Sequence, residues 1–225
     1  MTQVAGVPSA SANSTAVIAI DVLIEPGATL QATAKSLNAL LRKDYPRGFA
    51  LDESHVPHLS LLHRFVRVSD LPKVFAAVEK VLAQELPLQW QLTADGLESA
   101  PWGGQTMTSI RIRKTPELSA LQRELVNALN PFAVHSGDAS AFVRTADSSD
   151  INAATIDYVK TFVPKRTGEN FQPHITAGQS TPEFARKLPS TGFNATSRPR
   201  GVAIYQLGNA GTARKQLWRI DDAGV

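Results

Sequence analysis

Apolar and polar residues alternate along the chain with two different periods, and these periods predict strands and helices in turn. Residues 16–24 (AVIAIDVLI) are aliphatic and rich in β-branched side chains, and they end at Glu25-Pro26-Gly27, so we predict a strand there. The next apolar residues recur every three or four positions, which is typical of one helix face: Leu30, Ala34, Leu37 and Leu41. Residues 57–66 return to a strand pattern. A second helix is predicted from Ser69 to Pro87, with the apolar stripe Leu71, Val74, Phe75, Val78, Val81 and Leu82.

The second half of the chain continues this alternation and adds hairpins. Alternating residues at 88–94 and 106–112 flank a loop with two glycines, which predicts a hairpin. Thr115-Pro116 is a favourable start for a helix that ends before Pro131. Beyond it we predict, in order, an irregular passage at 135–150, a helix at 151–162, a strand at 171–177 and a hairpin over 201–220. The elements together predict an α+β protein whose sheets are antiparallel or mixed.

Composition then narrows the class of protein. Hydrophobic residues make up 43% of the 225 residues and charged residues 19%, which indicates a folded chain and excludes a disordered or coiled-coil protein. No apolar run approaches the roughly 18–20 residues that a membrane-spanning helix needs. The absence of cysteine excludes disulfides, a cysteine nucleophile, a Cys-ligated zinc site and an iron–sulfur cluster. No glycine-rich dinucleotide or phosphate-loop motif occurs, which argues against a nucleotide-cofactor fold.

Net charge and residues 1–14 constrain the ligand class and the location only weakly. The chain carries 23 basic and 20 acidic residues, a formal charge of +3. This mild excess fits an anionic small molecule or an RNA end, and it is too weak to indicate wrapping of duplex nucleic acid. Residues 1–14 are small and polar, without the basic and apolar regions of a signal peptide, so we predict a flexible tail. We expect a cytoplasmic protein, and a signal peptide removed beforehand stays an open alternative.

Two histidines occur in nearly identical settings, 116 residues apart. The first is Pro57-His58-Leu59-Ser60 and the second is Pro173-His174-Ile175-Thr176, each at the front of a predicted strand. Side chains two apart on a strand share a face, so each histidine projects beside a hydroxyl. If the two strands lie side by side, two imidazoles and two hydroxyls converge on one cleft. One imidazole can then remove a proton while the other donates one, which suits phosphodiester cleavage without a metal.

These motifs resemble those of the 2H phosphoesterases, which include the 2′,5′ RNA ligase-like proteins and the cyclic phosphodiesterases. The family carries two His-apolar-Ser/Thr motifs on strands, and the second often reads Phe-x-Pro-His-apolar-Thr, as residues 171–176 do here. The resemblance implies a single bilobal domain over residues 15–225, with two pseudo-symmetric lobes of sheets flanked by helices and a central groove. The chain departs from many members directly after this motif, where Ala177 and Gly178 replace a larger apolar residue and an arginine.

The resemblance also implies the reaction and its residues. Catalytic His58 and His174 would hydrolyse a 2′,3′-cyclic phosphate or a 2′-linked phosphodiester, without cofactor or metal, while Ser60 and Thr176 hold the phosphate oxygens. The sequence does not assign base and acid between the histidines. The partners expected are a nucleotide or RNA end as substrate, no membrane and no protein partner, with the chain a monomer. A non-hydrolytic module that binds RNA ends in the same groove is the alternative, and reverse ligation also stays open.

Several further residues are candidates with ordinary structural alternatives. Trp102 could stack on a base or fold onto the core, Phe171 could form the groove wall or the core, and Lys165 and Arg166 could steer phosphate or form a solvated turn. His55 and His63 lie near His58 and raise the alternative of a metal site. On a regular strand, however, His63 would face away from His58, whereas Arg64 would share its face.

Overall fold

The computed structural model describes residues 15–53, 55–145, 150–191 and 193–221. The strands in these residues are β1 (Val17–Pro26), β2 (Leu59–Arg67), β3 (Leu92–Trp102), β4 (Gln105–Ile112), β5 (Ala133–Val134), β6 (His174–Ser180), β7 (Ala195–Ser197), β8 (Pro199–Leu207) and β9 (Ala213–Asp221). The α-helices are α1 (Ala28–Asp44), α2 (Leu71–Glu85), α3 (Pro116–Leu129), α4 (Ala153–Arg166) and α5 (Pro182–Lys187). The expected tail at 1–14 and the last four residues lie outside the described residues.

The strands form two sheets in which the described pairs are antiparallel. The five-stranded sheet has the order β5-β2-β1-β8-β9, and the four-stranded sheet has the order β6-β4-β3-β7. β1 is the centre of the first sheet and is buried almost throughout, as its near-continuous apolar sequence requires. The predicted α+β class with antiparallel sheets is therefore confirmed.

Two helices, α1 and α4, each pack against the motif strand that they do not directly precede in sequence. α1 precedes the first motif strand, β2, but packs against β6 and β7 of the other sheet. α4 precedes the second motif strand, β6, but packs against β2. One large cluster of buried apolar residues includes side chains of both sheets, for example Ile20 and Val22 of the first and Ile110 and Ile175 of the second. The crossing brings the starts of β2 and β6 together, because each helix covers the strand of the other half.

Most predicted element boundaries lie within two residues of the structure, and three differ by more. The strand expected at 171–177 runs instead from His174 to Ser180, and the short elements β5, α5 and β7 were not predicted. The strand expected from Leu88 begins only at Leu92, because Pro87–Gln89 forms a turn of 3₁₀ helix after the left-handed Leu86. The helix expected to end at residue 162 continues through Pro164 to Arg166. Thr115 caps α3 as predicted, since its side chain accepts a hydrogen bond from the Leu118 amide at 3.2 Å. Among the described residues, no helix is long and apolar enough to cross a membrane.

Candidate active site

A cavity of about 410 Å³ opens where β2 and β6 meet. His58 stands directly before β2 and His174 is the first residue of β6, so both motifs enter the cavity from the beginning of a strand. The side chains of His58, Ser60, His174 and Thr176 all line it. The structure therefore brings together the four residues that the two motifs nominated.

The two motif histidines make the same backbone hydrogen bond. His58 Nδ1 lies 2.7 Å from the Val56 carbonyl oxygen, and His174 Nδ1 lies 2.8 Å from the Gln172 carbonyl oxygen. A carbonyl oxygen only accepts, so each Nδ1 carries the hydrogen and each neutral ring leaves Nε2 without one. The rings differ in exposure, since the side chain of His58 is 18% exposed and that of His174 is 35% exposed. Both imidazoles are thus oriented alike for proton transfer at Nε2.

Each histidine also has a carboxylate nearby. Asp21 Oδ2 lies 3.7 Å from His58 Nε2, and the Asp21 side chain is completely buried. Glu98 Oε1 lies 3.8 Å from His174 Nδ1, and the Glu98 side chain is partly exposed. Either carboxylate can balance the positive charge of a protonated ring, and Asp21 does so with less screening by solvent.

Asp21 also organises the first motif beyond His58. Ser60 Oγ donates to Asp21 Oδ2 at 2.7 Å, and His63 Nε2 lies 3.2 Å from both Ser60 Oγ and Asp21 Oδ2. The His63 ring is buried and stacks on Phe162 at 4.5 Å between ring centroids. A third histidine therefore belongs to the site, although its strand position predicted the opposite face.

A β-bulge in β2 explains why that prediction was wrong. Val22 pairs with Leu62 whereas Leu23 pairs with Ser60, so Leu61 is an extra residue on β2. The extra residue inverts the alternation of side chains beyond it, which places His63 on the face of Ser60. It also moves Arg64 to the other face, where its guanidinium donates to Asn130 Oδ1 and the Val126 carbonyl.

β6 contains a bulge at the equivalent position. Thr108 pairs with Gly178 whereas Ser109 pairs with Thr176, so Ala177 is the extra residue. In both motif strands the bulge thus follows the motif hydroxyl by one residue. This shared irregularity supports the relation between the two halves that the repeated motif indicated.

The other candidate residues lie in different places. Trp102, at the end of β3, Phe171 and Arg166 line the cavity, and Phe171 is also buried in the core. Lys165 is not part of the lining, and its Nζ lies 3.8 Å from Asp157 Oδ2 in a smaller depression on α4. Among the described residues, Arg166 is the only lysine or arginine that lines the cavity.

Aromatic residues form much of the cavity wall. Phe49, Tyr158 and Phe162 line it together with Trp102 and Phe171. Burial raises the pKa of the Tyr158 hydroxyl, an effect that nearby Arg166 opposes and Asp21 reinforces. The wall therefore offers apolar faces beside a small number of polar groups, as ligand cavities generally do.

The histidines that suggested a metal site contact different partners. His55 stacks on Phe49 at 5.4 Å between ring centroids, while His63 packs against Phe162 and Tyr158. No group of three histidine, aspartate or glutamate side chains in the described residues is arranged to hold a metal ion.

Sequence reasoning missed Asp21, Glu98 and Tyr158. Asp21 carried a usable signal, because it is the single charged residue in the apolar run 16–24, and an unpaired buried charge is rare. Glu98 and Tyr158 are unremarkable in their local sequence, so only the packing of β3 and α4 at the cavity identifies them.

Comparison with known proteins identifies a family. Residues 29–191, which include both motif histidines, match the sequence profile of a family described as the 2'-5' RNA ligase superfamily. Among similar solved structures, E. coli LigT complexed with 3'-AMP is 19% identical, with 91% of this chain and 97% of that chain covered and a TM-score of 0.45. A protein described as a phosphoesterase is 16% identical, with 92% and 98% covered and a TM-score of 0.41. Identities and scores this low carry no information on activity, and no curated protein matches the chain.

Proposed function

The chain belongs to the 2'-5' RNA ligase superfamily, and from that premise we propose that it is a metal-independent phosphodiesterase acting on RNA-type ends. Its substrate is a 2′,3′-cyclic phosphate or a 2′-linked phosphodiester, at an RNA end or on a nucleotide. The observation that carries the proposal is the matched pair of imidazoles on one cavity, His58 and His174, each with Nδ1 held by a backbone carbonyl. An imidazole can both accept and donate a proton, so a pair of them suits a reaction that moves two protons.

The proposed reaction is a hydrolysis in which each histidine moves one proton. One imidazole takes a proton from water at Nε2 while the water oxygen forms a bond to phosphorus. The bond between phosphorus and a ribose oxygen breaks, and the other imidazole, protonated beforehand, gives its proton to that oxygen. The products are a phosphomonoester and a free hydroxyl, and the two histidines end with exchanged protonation states. Cleavage of the 2′ or the 3′ bond leaves the phosphate at different positions, so the product reports which bond was cut.

Two hydroxyls and one arginine are proposed to hold the phosphate. Thr176 Oγ1 and Ser60 Oγ line the cavity beside the histidines, and Arg166 adds a permanent positive charge. To reach a phosphate oxygen, the Ser60 O–H must turn away from Asp21 Oδ2. His63 Nε2, 3.2 Å from that oxygen, is in position to keep the carboxylate hydrogen-bonded when it does.

The aromatic wall supports a nucleoside as the group attached to the phosphate. Trp102 and Phe171 are proposed to contact the base, since aromatic faces stack on any base without reading its identity. Lys165 faces the depression beside the cavity instead, and we propose no direct phosphate contact for it.

A turnover assay with point variants tests the proposal. The substrates are the four nucleoside 2′,3′-cyclic phosphates, an RNA with a 2′,3′-cyclic phosphate end and a 2′–5′ linked dinucleotide, all in the presence of EDTA. We expect His58→Ala and His174→Ala each to lower kcat about 10²- to 10⁴-fold, the usual contribution of a general acid or base. His135→Ala is the matched control, because His135 is exposed and outside the cavity lining.

Three outcomes would count against the proposal. Loss of turnover in EDTA would indicate a required metal, and equal turnover of the variants and the wild type would remove the histidines from catalysis. Tight binding of the RNA ends without any turnover would instead favour the non-hydrolytic binding module. Formation of 2′-linked product from a cyclic-phosphate end and a free hydroxyl would reveal the reverse, ligating direction.

A further inference from the structure

Two helices that precede the motif strands each bury a carboxamide side chain. Asn38 of α1 is 4% exposed, and its Nδ2 donates to the carbonyl oxygens of Phe49 at 2.9 Å and Ala177 at 2.8 Å. The Leu51 amide donates to Asn38 Oδ1 at 3.0 Å. An asparagine is a poor residue for a helix interior, so these three bonds are the physical reason for its presence there.

Gln122 of α3 makes the same set of bonds in the other half. It is 1% exposed, and its Nε2 donates to the carbonyl oxygens of Leu61 at 3.1 Å and Arg166 at 3.3 Å. The Gly168 amide donates to Gln122 Oε1 at 3.2 Å. Both carboxamides therefore use two donors and one acceptor on three backbone groups.

The backbone groups bonded to Asn38 and to Gln122 lie at equivalent places in the two halves of the chain. Ala177 and Leu61 are the extra residues of the two bulges, and each directly follows a motif hydroxyl, that of Thr176 or Ser60. The extra residue of a bulge is left out of the strand ladder, and its buried carbonyl needs another donor. The remaining partners belong to the segments that lead into the motif of the opposite half. Each carboxamide thus connects the bulge of one motif strand to the approach of the other.

We infer that Asn38 and Gln122 are positioning residues for the two motif hydroxyls. Asn38, in the first half of the chain, fixes the position of the Thr176 hydroxyl in the second motif, and Gln122 fixes that of the Ser60 hydroxyl in the first. This inference rests on the proposed function. The backbone at each hydroxyl is held at the bulge carbonyl, one residue further along, by a helix that packs against that motif strand, α1 against β6 and α3 against β2. Without that bond the bulge carbonyl is buried and unpaired, so the strand shifts to find a new partner and the hydroxyl moves with it. Displacements of about 1 Å from the productive geometry can cost about 10²-fold in rate.

Double-mutant cycles on kcat/KM test this crossed relation. Asn38→Leu and Gln122→Met remove the hydrogen bonds with little change in size, and Thr176→Val and Ser60→Ala remove the hydroxyls. We expect each carboxamide variant to lower kcat/KM about 10- to 100-fold. Asn38→Leu added to Thr176→Val should cause little further loss, whereas added to Ser60→Ala its loss should multiply. Gln122→Met should show the reverse pattern.

An amide elsewhere provides the matched control. Gln206 Nε2 donates to the Ala141 carbonyl at 3.0 Å, away from both bulges and from the cavity lining. Gln206→Met should lower Tm while leaving kcat/KM within about twofold of the wild type. If Asn38→Leu does not fold, Asn38→Ser, which keeps one donor, replaces it in the same cycles.

A spectroscopic readout keeps the inference independent of turnover. The amide that follows a bulge carbonyl senses the hydrogen bond to that carbonyl, so Asn38→Leu should shift the ¹H–¹⁵N resonance of Gly178 and leave that of Leu62. Gln122→Met should do the opposite. Equal shifts at both bulges, or multiplicative losses in all four cycles, would overturn the inference. A wild type without turnover would contradict the proposed function instead, and the amide shifts would still decide the inference.

Discussion

Gly178, the second residue after the Thr176 motif, is a site where even one methyl group should destabilise the protein. Its φ is +155°, and a Cβ added there would lie 2.9 Å from Asn38 Nδ2 and 3.2 Å from Leu41 Cδ1. Asn38 cannot retreat without giving up the bonds from Nδ2 to the Phe49 and Ala177 carbonyls. Gly178→Ala therefore combines backbone strain with the loss of buried hydrogen bonds.

The two contributions set the size of the expected effect. A non-glycine residue in a sparsely populated backbone region costs about 1–3 kcal/mol. The two hydrogen bonds of Asn38 Nδ2 are worth about 1–3 kcal/mol together, at roughly 0.5–1.5 kcal/mol each. We expect Gly178→Ala to lower the free energy of unfolding by about 2–6 kcal/mol. Urea denaturation followed by circular dichroism measures this directly.

Gly104→Ala separates the two contributions. Gly104 also has a positive φ, +79°, but a Cβ there would meet no heavy atom within 4 Å, so only strain of about 1–2 kcal/mol remains. In an Asn38→Ala background, the cost of Gly178→Ala should fall toward that of Gly104→Ala, because the nearest obstructing atom is gone. If Gly178→Ala is no more destabilising than Gly104→Ala in the wild-type background, the reasoning is refuted.

Three further predictions concern the cavity and the buried network. Trp102→Ala should raise KM for nucleoside cyclic phosphates about 5- to 150-fold, the equivalent of ~1–3 kcal/mol of base stacking, and an unchanged KM would contradict a stacking role. Asp21→Asn should lower kcat about tenfold, because it removes the negative charge beside the protonated His58 ring. The asparagine oxygen can still accept the hydrogen bond from Ser60, so a kcat equal to the wild type would contradict a role for the charge. Burial, together with the Glu25 carboxylate, raises the pKa of Tyr205 above its ordinary 10.0. Above pH 10 the unfolded chain therefore loses this proton first, and stability falls with rising pH by about 1.4 kcal/mol per pH unit. Tyr205→Phe should remove that part of the alkaline slope in urea titrations, and an unchanged slope would show that another group causes it.

The local sequence patterns were sufficient for the longer elements and for the motif residues, and they missed only the short elements β5, α5 and β7 among the α-helices and strands of the described residues. Periodicity placed most helices and strands, because burial of one helix face or of alternate strand residues leaves a direct trace in the order of apolar residues. The repeated Pro-His-apolar-hydroxyl motif nominated four side chains, and all four line one cavity. Their catalytic roles stay a proposal, since the fold brings them together without showing a reaction.

The sequence was misleading beyond the bulge in β2. Parity along β2 predicted that His63 faces away from the site and that Arg64 faces toward it, and both predictions were wrong. The cause is the bulge at Leu61, which inverts the alternation. Whether a strand bulges depends on which residues pair with it and on what meets the freed carbonyl. For Leu61 that partner is Gln122, 61 residues away.

The α+β class, the order of the longer elements and the two histidine motifs could all be predicted before any fold was known, because each of these depends on residues that are neighbours in the chain. The places of His63 and Asp21 in the site, and the bonds from Asn38 and Gln122 to the two bulges, follow from the three-dimensional packing alone. These relations depend on hydrogen bonds between residues far apart in sequence. Asn38 and Ala177, for example, are separated by 139 positions and still meet at 2.8 Å. A buried carbonyl must find a donor somewhere in the fold, and the crossed packing of the helices determines which donor that is.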